Sequence, residues 1–353
     1  MKRKKKQSSF FRKFILLSFL ISCFAGILLC IQLYKNVFNT NIVFSGDKEK
    51  LLFINSDDDF NNVLNKLSDI NLLNINTFKW VANKKKYIQN IKPGRYLINN
   101  EMSINDLINL LKSGNQTPVK ITFNNTRTIN DFVSNISSSL EIDSVSLLNA
   151  IYDKNFLLNN KLTNENVGCI FIPNTYEFYW NVSSEGFLNR MLLEYDKFWN
   201  NDRIKKSKLI PLNLNEISIL ASIVQMEQNI KYDERPIIAG LYLNRINQNM
   251  KLESDPTLIF ALKDFSLKRV LNKDKKVLSP YNTYKNKGLP PGPICMPSIN
   301  AIDAVLNFNK HNYIFMCAKE DLSGYHNFAV TYKKHLKNAR RYQKMLSKKK
   351  IFR

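Results

Sequence analysis

An uncharged apolar run near the N-terminus limits how this chain can fold, because it is long enough to cross a membrane. The run extends over 20 residues, from Phe14 to Leu33, and a basic stretch beginning Met1-Lys-Arg-Lys-Lys-Lys6 precedes it. A helix rises 1.5 Å per residue, so this length covers the roughly 30 Å hydrocarbon core of a bilayer. Basic residues beside a membrane span stay on the cytoplasmic side. The sequence therefore predicts a single-pass protein of the cell (inner) membrane, with residues 1–13 as a cytoplasmic tail, residues 14–33 as the anchor and the remainder outside the cytoplasm.

A cleaved signal peptide is the alternative interpretation of this run. Signal peptides have an apolar core of about 7–15 residues and small residues at the cleavage site. This run is longer, and Gln32-Leu-Tyr-Lys-Asn36 offers no pair of small residues. Leu20-Ile-Ser-Cys23 weakly resembles a lipidation box, but uncharged residues continue to Leu33. We therefore expect an uncleaved anchor.

The chain is strongly basic, with a net charge of +23 from 52 Lys and Arg against 29 Asp and Glu. Such a surplus is typical of proteins that bind nucleic acid. Part of it, however, lies beside the apolar run, and lysine is otherwise spread along the chain with much Asn and Ile. No nucleic-acid-binding module is recognisable. The sequence favours attraction to anionic lipid and predicts no nucleic-acid partner.

The cysteines and histidines match neither a metal site nor a disulfide framework. Cys23 and Cys30 lie within the apolar run, and the other three cysteines have no close spacing. His311, His326 and His335 fit no metal motif, so we expect them to be ordinary surface or hydrogen-bonded histidines. The sequence predicts no metal and no cofactor.

The segment after the anchor reads as a tether followed by a small domain. Residues 34–50 are interpreted as the tether. For residues 51–118 the sequence predicts a strand, two helices, a second strand and then a further helix. That last helix has a start signal, with Ser103 as N-cap and Asp106 three positions later.

Residues 119–348 predict a second, larger domain that mixes helices and strands. Pro118–Phe123 has the alternating pattern of a strand, and further strands are expected near Ala261 and at Tyr313–Cys317. A basic helix is expected at about 330–348. The fold class predicted for the whole chain is α+β.

A single carboxylate stands at the end of an apolar helical stripe in this second domain. Leu220, Ile223, Val224 and Glu227 recur at the spacing of one helix face. Burial against such a face disfavours the charged carboxylate and raises its pKa, which is what a general acid requires near neutral pH. The alternative is that Glu227 marks only the solvent edge of a core helix.

Further motifs follow Glu227 in a fixed order. They are Leu243-Asn-Arg-Ile246, then Leu252-Glu-Ser-Asp-Pro-Thr-Leu258, then Tyr281-Asn-Thr-Tyr-Lys-Asn-Lys-Gly-Leu-Pro-Pro-Gly-Pro293. With the glutamate helix, and with Lys92-Pro-Gly-Arg-Tyr96 and Ile172-Pro-Asn-Thr-Tyr176 upstream, the sequence resembles the endolytic murein transglycosylases, the MltG or YceG-like family. The resemblance covers roughly residues 50 to 345.

The resemblance implies a LysM-like β-α-α-β subdomain over residues 51–118 and a YceG-like catalytic domain over residues 119–348. It also implies a mechanism in which Glu227 protonates a glycosidic oxygen and then takes the proton of the muramoyl C6 hydroxyl, leaving a 1,6-anhydro end. The small subdomain would contact glycan, or it would only space the active site from the membrane. Many family members have an acidic residue where this chain has Gln225. Residues two apart on a helix point to different sides, so we expect this difference to leave the role of Glu227 unchanged.

The remaining candidate site residues are expected to bind substrate or to support Glu227. Asp255 is expected to cap a turn, to orient Glu227, or to do both, and Arg245 to pair with Asp255 or with a peptide carboxylate. Asn174 and Glu177, in an aromatic-rich strand, would reach sugar hydroxyls, although such a stripe is more often core. The full set is Asn174, Glu177, Asn244, Arg245, Asp255, Thr257, Tyr281, Asn282, Thr283, Tyr284 and Gly288.

The resemblance implies a lyase that cleaves the MurNAc-GlcNAc β-1,4 bond of nascent peptidoglycan and so limits strand length. Its partners would be glycan strands and the peptidoglycan synthases of cell elongation. A muramidase that uses water as the nucleophile is one alternative. A non-catalytic, membrane-anchored scaffold that binds peptidoglycan is the other.

Overall fold

A computed structural model describes residues 3–39, 48–70, 72, 75–267 and 270–349. The chain divides into two compact units, one up to residue 119 with residues 179–181, and the other formed by residues 120–178 and 182 onward. Within these described residues the strands form three separate two-stranded sheets, β1 with β2, β3 with β4 and β5 with β6, whose bounds are given below. The predicted mixture of helices and strands is confirmed.

The first unit contains the apolar helix and a small domain. Its elements are α1 Arg3–Phe38, β1 Glu49–Ile54, α2 Phe60–Asp69, α3 Ile75–Lys84, β2 Gly94–Asn99 and α4 Ile104–Ser113. The segment Phe10–Phe38 of α1 is long and apolar enough to cross a membrane. The helix continues past Leu33, so residues 34–38 of the expected tether are helical, and residues 40–47 lie outside the described residues.

The order strand, helix, helix, strand of the small domain is as predicted. β1 and β2 pair antiparallel, with Leu52 opposite Tyr96. Their inner faces and the helices enclose an apolar core in which Tyr96 is fully buried. The predicted start of α4 is confirmed, since Ser103 and Asp106 form a reciprocal capping box.

The second unit is mainly helical. Its elements are β3 Val119–Phe123, α5 Ile129–Ser137, α6 Ser144–Ile151, α7 Lys154–Asn159, β4 Asn174–Phe178, α8 Ser184–Phe198, α9 Asn201–Ser207, α10 Leu214–Glu227, α11 Arg235–Asn247, α12 Asp255–Leu262, α13 Ile299–Leu306, β5 Phe315–Ala318, β6 His326–Ala329 and α14 Tyr332–Lys348. The strand expected near Ala261 is wrong, because this residue lies in α12. The proline at the start of α12 suits a first helical turn, and this signal outweighs the strand-like Leu-Ile-Phe run.

Helix α10 forms the centre of this unit. Asn213 and Glu216 form a capping box that satisfies backbone groups at its first turn. Leu220, Ile223 and Val224 are completely buried against α11 and α13. The helix ends at Glu227, where the chain becomes extended, so the buried stripe carries this carboxylate to the edge of the core.

Candidate active site

Glu227 lies in a cavity of about 580 Å³ between α11, α12 and the β5–β6 pair. Its polar and titratable lining residues are Glu227, Tyr242, Arg245, Glu253, Asp255, Lys275, Tyr284, Cys317, His326, Tyr332 and His335. The glutamate is therefore a cavity residue and not merely the solvent edge of a core helix.

Two hydroxyl groups donate hydrogen bonds to the same oxygen of Glu227. The Tyr242 hydroxyl lies 2.6 Å and the Ser254 hydroxyl 2.5 Å from Oε1. Within the described part of the chain, no protein group donates to Oε2. When the carboxyl is neutral, its proton is thus placed on Oε2, the oxygen that remains available to a substrate.

Burial raises the pKa of Glu227, and the charge of Asp255 raises it further. The hydrogen bonds from Ser254 and Tyr242 stabilise the carboxylate and lower the pKa, but burial outweighs them. The group thus holds a proton more strongly than a free glutamate while being poised to accept one back. This combination suits a residue that serves in turn as acid and base.

Ser254 is fixed by Thr257 and Thr283, both predicted site residues. Its backbone N–H donates to Thr283 Oγ1 at 3.0 Å, and its carbonyl accepts from Thr257 Oγ1 at 2.7 Å. The two threonine oxygens are 2.8 Å apart. Both threonines are buried, so they position the serine hydroxyl against Glu227 and do not line its cavity.

Asp255 has a different place from the one expected. It is the first residue of α12, so the expected turn is wrong, and Ser254 is the N-cap, without a side-chain capping bond. The Asp255 carboxylate accepts a hydrogen bond of 2.6 Å from the Tyr284 hydroxyl and makes none with Glu227. Its influence on Glu227 is electrostatic.

Arg245 and Asn244 bind neighbouring backbone. The Arg245 guanidinium pairs with Glu253 at 2.5 Å, not with Asp255, and donates to the carbonyls of Lys251 and Ile314. The Asn244 amide donates to the carbonyls of His311 and Tyr313, at 2.6 and 3.0 Å. These bonds attach α11 to the segment that enters β5, and Arg245 also lines the cavity.

His326, which was expected to be an ordinary surface or hydrogen-bonded histidine, lines the Glu227 cavity. Its Nδ1 lies 2.7 Å from Glu234 Oε2, and its backbone N–H donates to Glu234 Oε1 at 2.8 Å. Burial would raise the pKa of Glu234, but these bonds and one from Gln228 outweigh it, so the pKa is lowered. The buried carboxylate therefore fixes the imidazole at the wall of the Glu227 cavity.

One protein-family model matches most of the chain. Residues 52–341 match the YceG-like family. The chain belongs to this family.

Relatives and a solved structure of YceG-like type agree with this assignment. An endolytic murein transglycosylase from Bacillus subtilis (strain 168) is 28% identical over 281 residues, which are 73% of this chain and 75% of that protein. The protein of the same name from Streptococcus pneumoniae serotype 2 is 27% identical over 277 residues, 68% of this chain but only 49% of its own length. A crystal structure of a yceG-like protein from Listeria monocytogenes superposes with a TM-score of 0.53 at 23% identity, and covers 82% of this chain and 98% of that one.

The other predicted residues of this YceG-like chain lie outside the Glu227 cavity. Asn282 is completely buried, and its amide donates to the carbonyls of Lys275 and Val277, so it shapes the loop. Tyr281 lines a different cavity, and Gly288, with φ +78°, lines a third. Asn174 and Glu177 are exposed on β4 and line neither of these cavities nor that of Glu227.

Gln225 points away from Glu227, as the helical spacing predicts. Its side-chain carbonyl accepts from the Ser298 N–H at 2.7 Å, and its amide lies 3.7 Å from the Cys295 sulfur. This residue therefore joins α10 to the start of α13.

Within the described residues, no group of three or more Cys, His, Asp and Glu is arranged to hold a metal ion.

Proposed function

We propose that this chain is a membrane-anchored endolytic transglycosylase that cleaves the MurNAc-GlcNAc β-1,4 bond of nascent peptidoglycan. The observation that carries the proposal is the environment of Glu227, a half-buried residue whose raised pKa and available Oε2 suit an acid that later becomes a base. The family membership and the names of the relatives support it.

In the first step, Glu227 Oε2 gives its proton to the glycosidic oxygen as the bond from that oxygen to C1 of MurNAc breaks. GlcNAc leaves with a free hydroxyl, and positive charge develops at C1. Tyr242 and Ser254 then stabilise the newly formed carboxylate through Oε1.

In the second step, the C6 hydroxyl of the same MurNAc attacks C1 and gives its proton to the Glu227 carboxylate. The product is a 1,6-anhydro end, the acid is regenerated and no water is consumed. Because the nucleophile is already attached to the substrate, high effective molarity replaces a second catalytic side chain. The pairing of Glu253 with Arg245 supports this step, because it leaves that carboxylate of the cavity engaged.

A hydrolytic muramidase is the second candidate, and the exposure of Asp255 favours it. Inverting glycosidases use a second carboxylate to activate water, and Asp255 is an exposed carboxylate in the same cavity. The products distinguish the two reactions, because an anhydro end is lighter than a reducing end by one water.

The test is mass spectrometry of uncrosslinked glycan digested by the purified full-length protein. We expect anhydro ends from the wild type and no new ends from Glu227→Gln. Reducing ends in place of anhydro ends would show hydrolysis. Normal glycan lengths in a deletion strain that carries Glu227→Gln would support the non-catalytic scaffold instead.

We also propose that the small domain is LysM-like and contacts glycan, and that the body of the protein lies outside the cytoplasmic (inner) membrane. Its strand, helix, helix, strand order supports the first point. The basic N-terminus before the apolar helix supports the second. Only ten residues separate α1 from β1, which keeps this domain near strands leaving the peptidoglycan synthases, the proposed partners.

A further inference from the structure

A second cavity of about 570 Å³ lies in the same unit as Glu227 and shares no lining residue with the Glu227 cavity. Helix α12 connects the two. Asp255, at its first residue, lines the Glu227 cavity, while Phe260 and Lys263, at its other end, line the second. Eight helical residues cover about 12 Å.

Two cations at this second cavity have no acidic partner in the part of the chain that the structure describes. Arg127 and Lys263 line it, and within the described residues neither has a carboxylate at ion-pair distance. The Arg127 guanidinium lies 4.9 Å from the centre of the Phe265 ring, which holds its plane beside the cavity. A planar guanidinium without a partner is suited to bind a carboxylate through two hydrogen bonds.

The other walls are aromatic and amide groups. Phe260 and Tyr281 pack with ring centres 4.8 Å apart, and Tyr152 and Asn164 complete this side. Glu165, also a lining residue, has no ion-pair partner within the described chain. The cavity therefore offers cations for carboxylates, an anion for an amine, and apolar surface between them.

We propose that this cavity binds the stem peptide carried by the MurNAc residue at the active site. The inference rests on the proposed function. The glycan of a peptide-bearing strand is itself uncharged, since its lactyl carboxylate is used in the amide bond, so unpaired cations recognise the peptide and not the sugar. An extended peptide covers about 3.3–3.6 Å per residue, so four residues reach about 13–14 Å, enough to run beside α12 from one cavity to the other.

The test compares cleavage of two substrates, uncrosslinked glycan with its stem peptides and the same glycan after the peptides have been removed enzymatically. We expect wild-type protein to prefer the peptide-bearing strand, measured as the ratio of kcat/KM for the two substrates. Arg127→Gln should lower this ratio roughly tenfold, which corresponds to about 1.4 kcal/mol. Arg127→Lys should lower it less, and Lys154→Gln, a cation that lines neither cavity, should leave it unchanged.

A binding measurement separates failure of this inference from failure of the proposed function. A synthetic, uncrosslinked muramyl pentapeptide is titrated into full-length Glu227→Gln protein by calorimetry, with and without the Arg127→Gln change. Binding that depends on Arg127, together with no cleavage of any glycan by the wild type, would support the peptide-binding site and refute the proposed transglycosylase activity.

Normal cleavage with an unchanged ratio and no peptide binding would overturn the peptide site alone. An equal loss on both substrates would also overturn it, since that result indicates a structural role. If Arg127→Gln does not fold, as judged by circular dichroism, Lys263→Gln takes its place with the same expected direction.

Discussion

The hydrogen bond from Tyr242 to Glu227 gives a prediction with a definite sign. Tyr242→Phe removes the hydroxyl and keeps the ring that packs in the buried core. A hydrogen bond to a charged group contributes about 1.5–3 kcal/mol, and one pKa unit corresponds to 1.36 kcal/mol. Because the hydroxyl also binds the neutral carboxyl, though more weakly, we take the lower end and expect the pKa of Glu227 to rise by about one unit.

The consequence appears in the pH profile. In the proposed mechanism Glu227 must be protonated to act first as an acid, so activity is expected to fall as pH rises through the pKa of Glu227. Losing a donor that stabilises the carboxylate moves this alkaline limb to higher pH. The assay is kcat/KM on soluble uncrosslinked glycan, measured by chromatography of the products between about pH 4 and 9.

Tyr176→Phe is the matched control. Tyr176 is also buried, and its hydroxyl donates to the Ile172 carbonyl at 2.6 Å, away from the Glu227 cavity. We expect this change to leave the pH profile in place. An alkaline limb that stays fixed in Tyr242→Phe, or moves to lower pH, would refute the reasoning, because either result means that Tyr242 does not stabilise the ionised carboxylate.

Asp255, Glu227 and Gly292 give three further predictions. Asp255→Asn removes the charge that raises the pKa of Glu227, so the alkaline limb of its kcat/KM profile should move to lower pH, opposite to Tyr242→Phe. Glu227→Gln should abolish activity yet raise the melting temperature at pH 8. A carboxyl whose pKa is raised by folding contributes stability that is fully present below the unfolded-state pKa of about 4.3 and is lost as pH rises through the folded-state pKa, so the advantage of the variant should vanish below about pH 4 in thermal scans. Gly292→Ala would place a Cβ 1.9 Å from the Glu165 carbonyl oxygen, so a loss of about 1–3 kcal/mol is expected by denaturant unfolding, and an unchanged midpoint would contradict that contact.

Local periodicity was sufficient to predict the position of Glu227. The apolar stripe Leu220, Ile223 and Val224 is fully buried, and Glu227, one helical turn beyond Val224, lines a cavity. The capping box at Ser103 was predicted for the same reason, since its partners are three residues apart. Contacts between residues that lie within one or two helical turns of each other can be predicted from a single sequence.

The partners of Glu227 could not be predicted in this way. Tyr242 is 15 and Ser254 27 residues away, and His326 meets Glu234 across 92 residues. Their contacts depend on how α11, α12 and β6 pack, which no local pattern describes. The Ser-Asp-Pro-Thr segment was predicted as a turn because its residues suit both a turn and a first helical turn, and packing selects the helix.

The C-terminal end of α1 has a mechanical consequence. Val37 is 7% exposed and belongs to the apolar core of the first unit, so the helix that is long enough to cross a membrane is embedded in the small domain it carries. A flexible linker would let that domain swing freely above the lipid. In the membrane-anchored protein that we propose, any tilt or rotation of α1 would be passed directly to the domain, so bilayer thickness and curvature would influence the angle at which the domain meets a glycan strand.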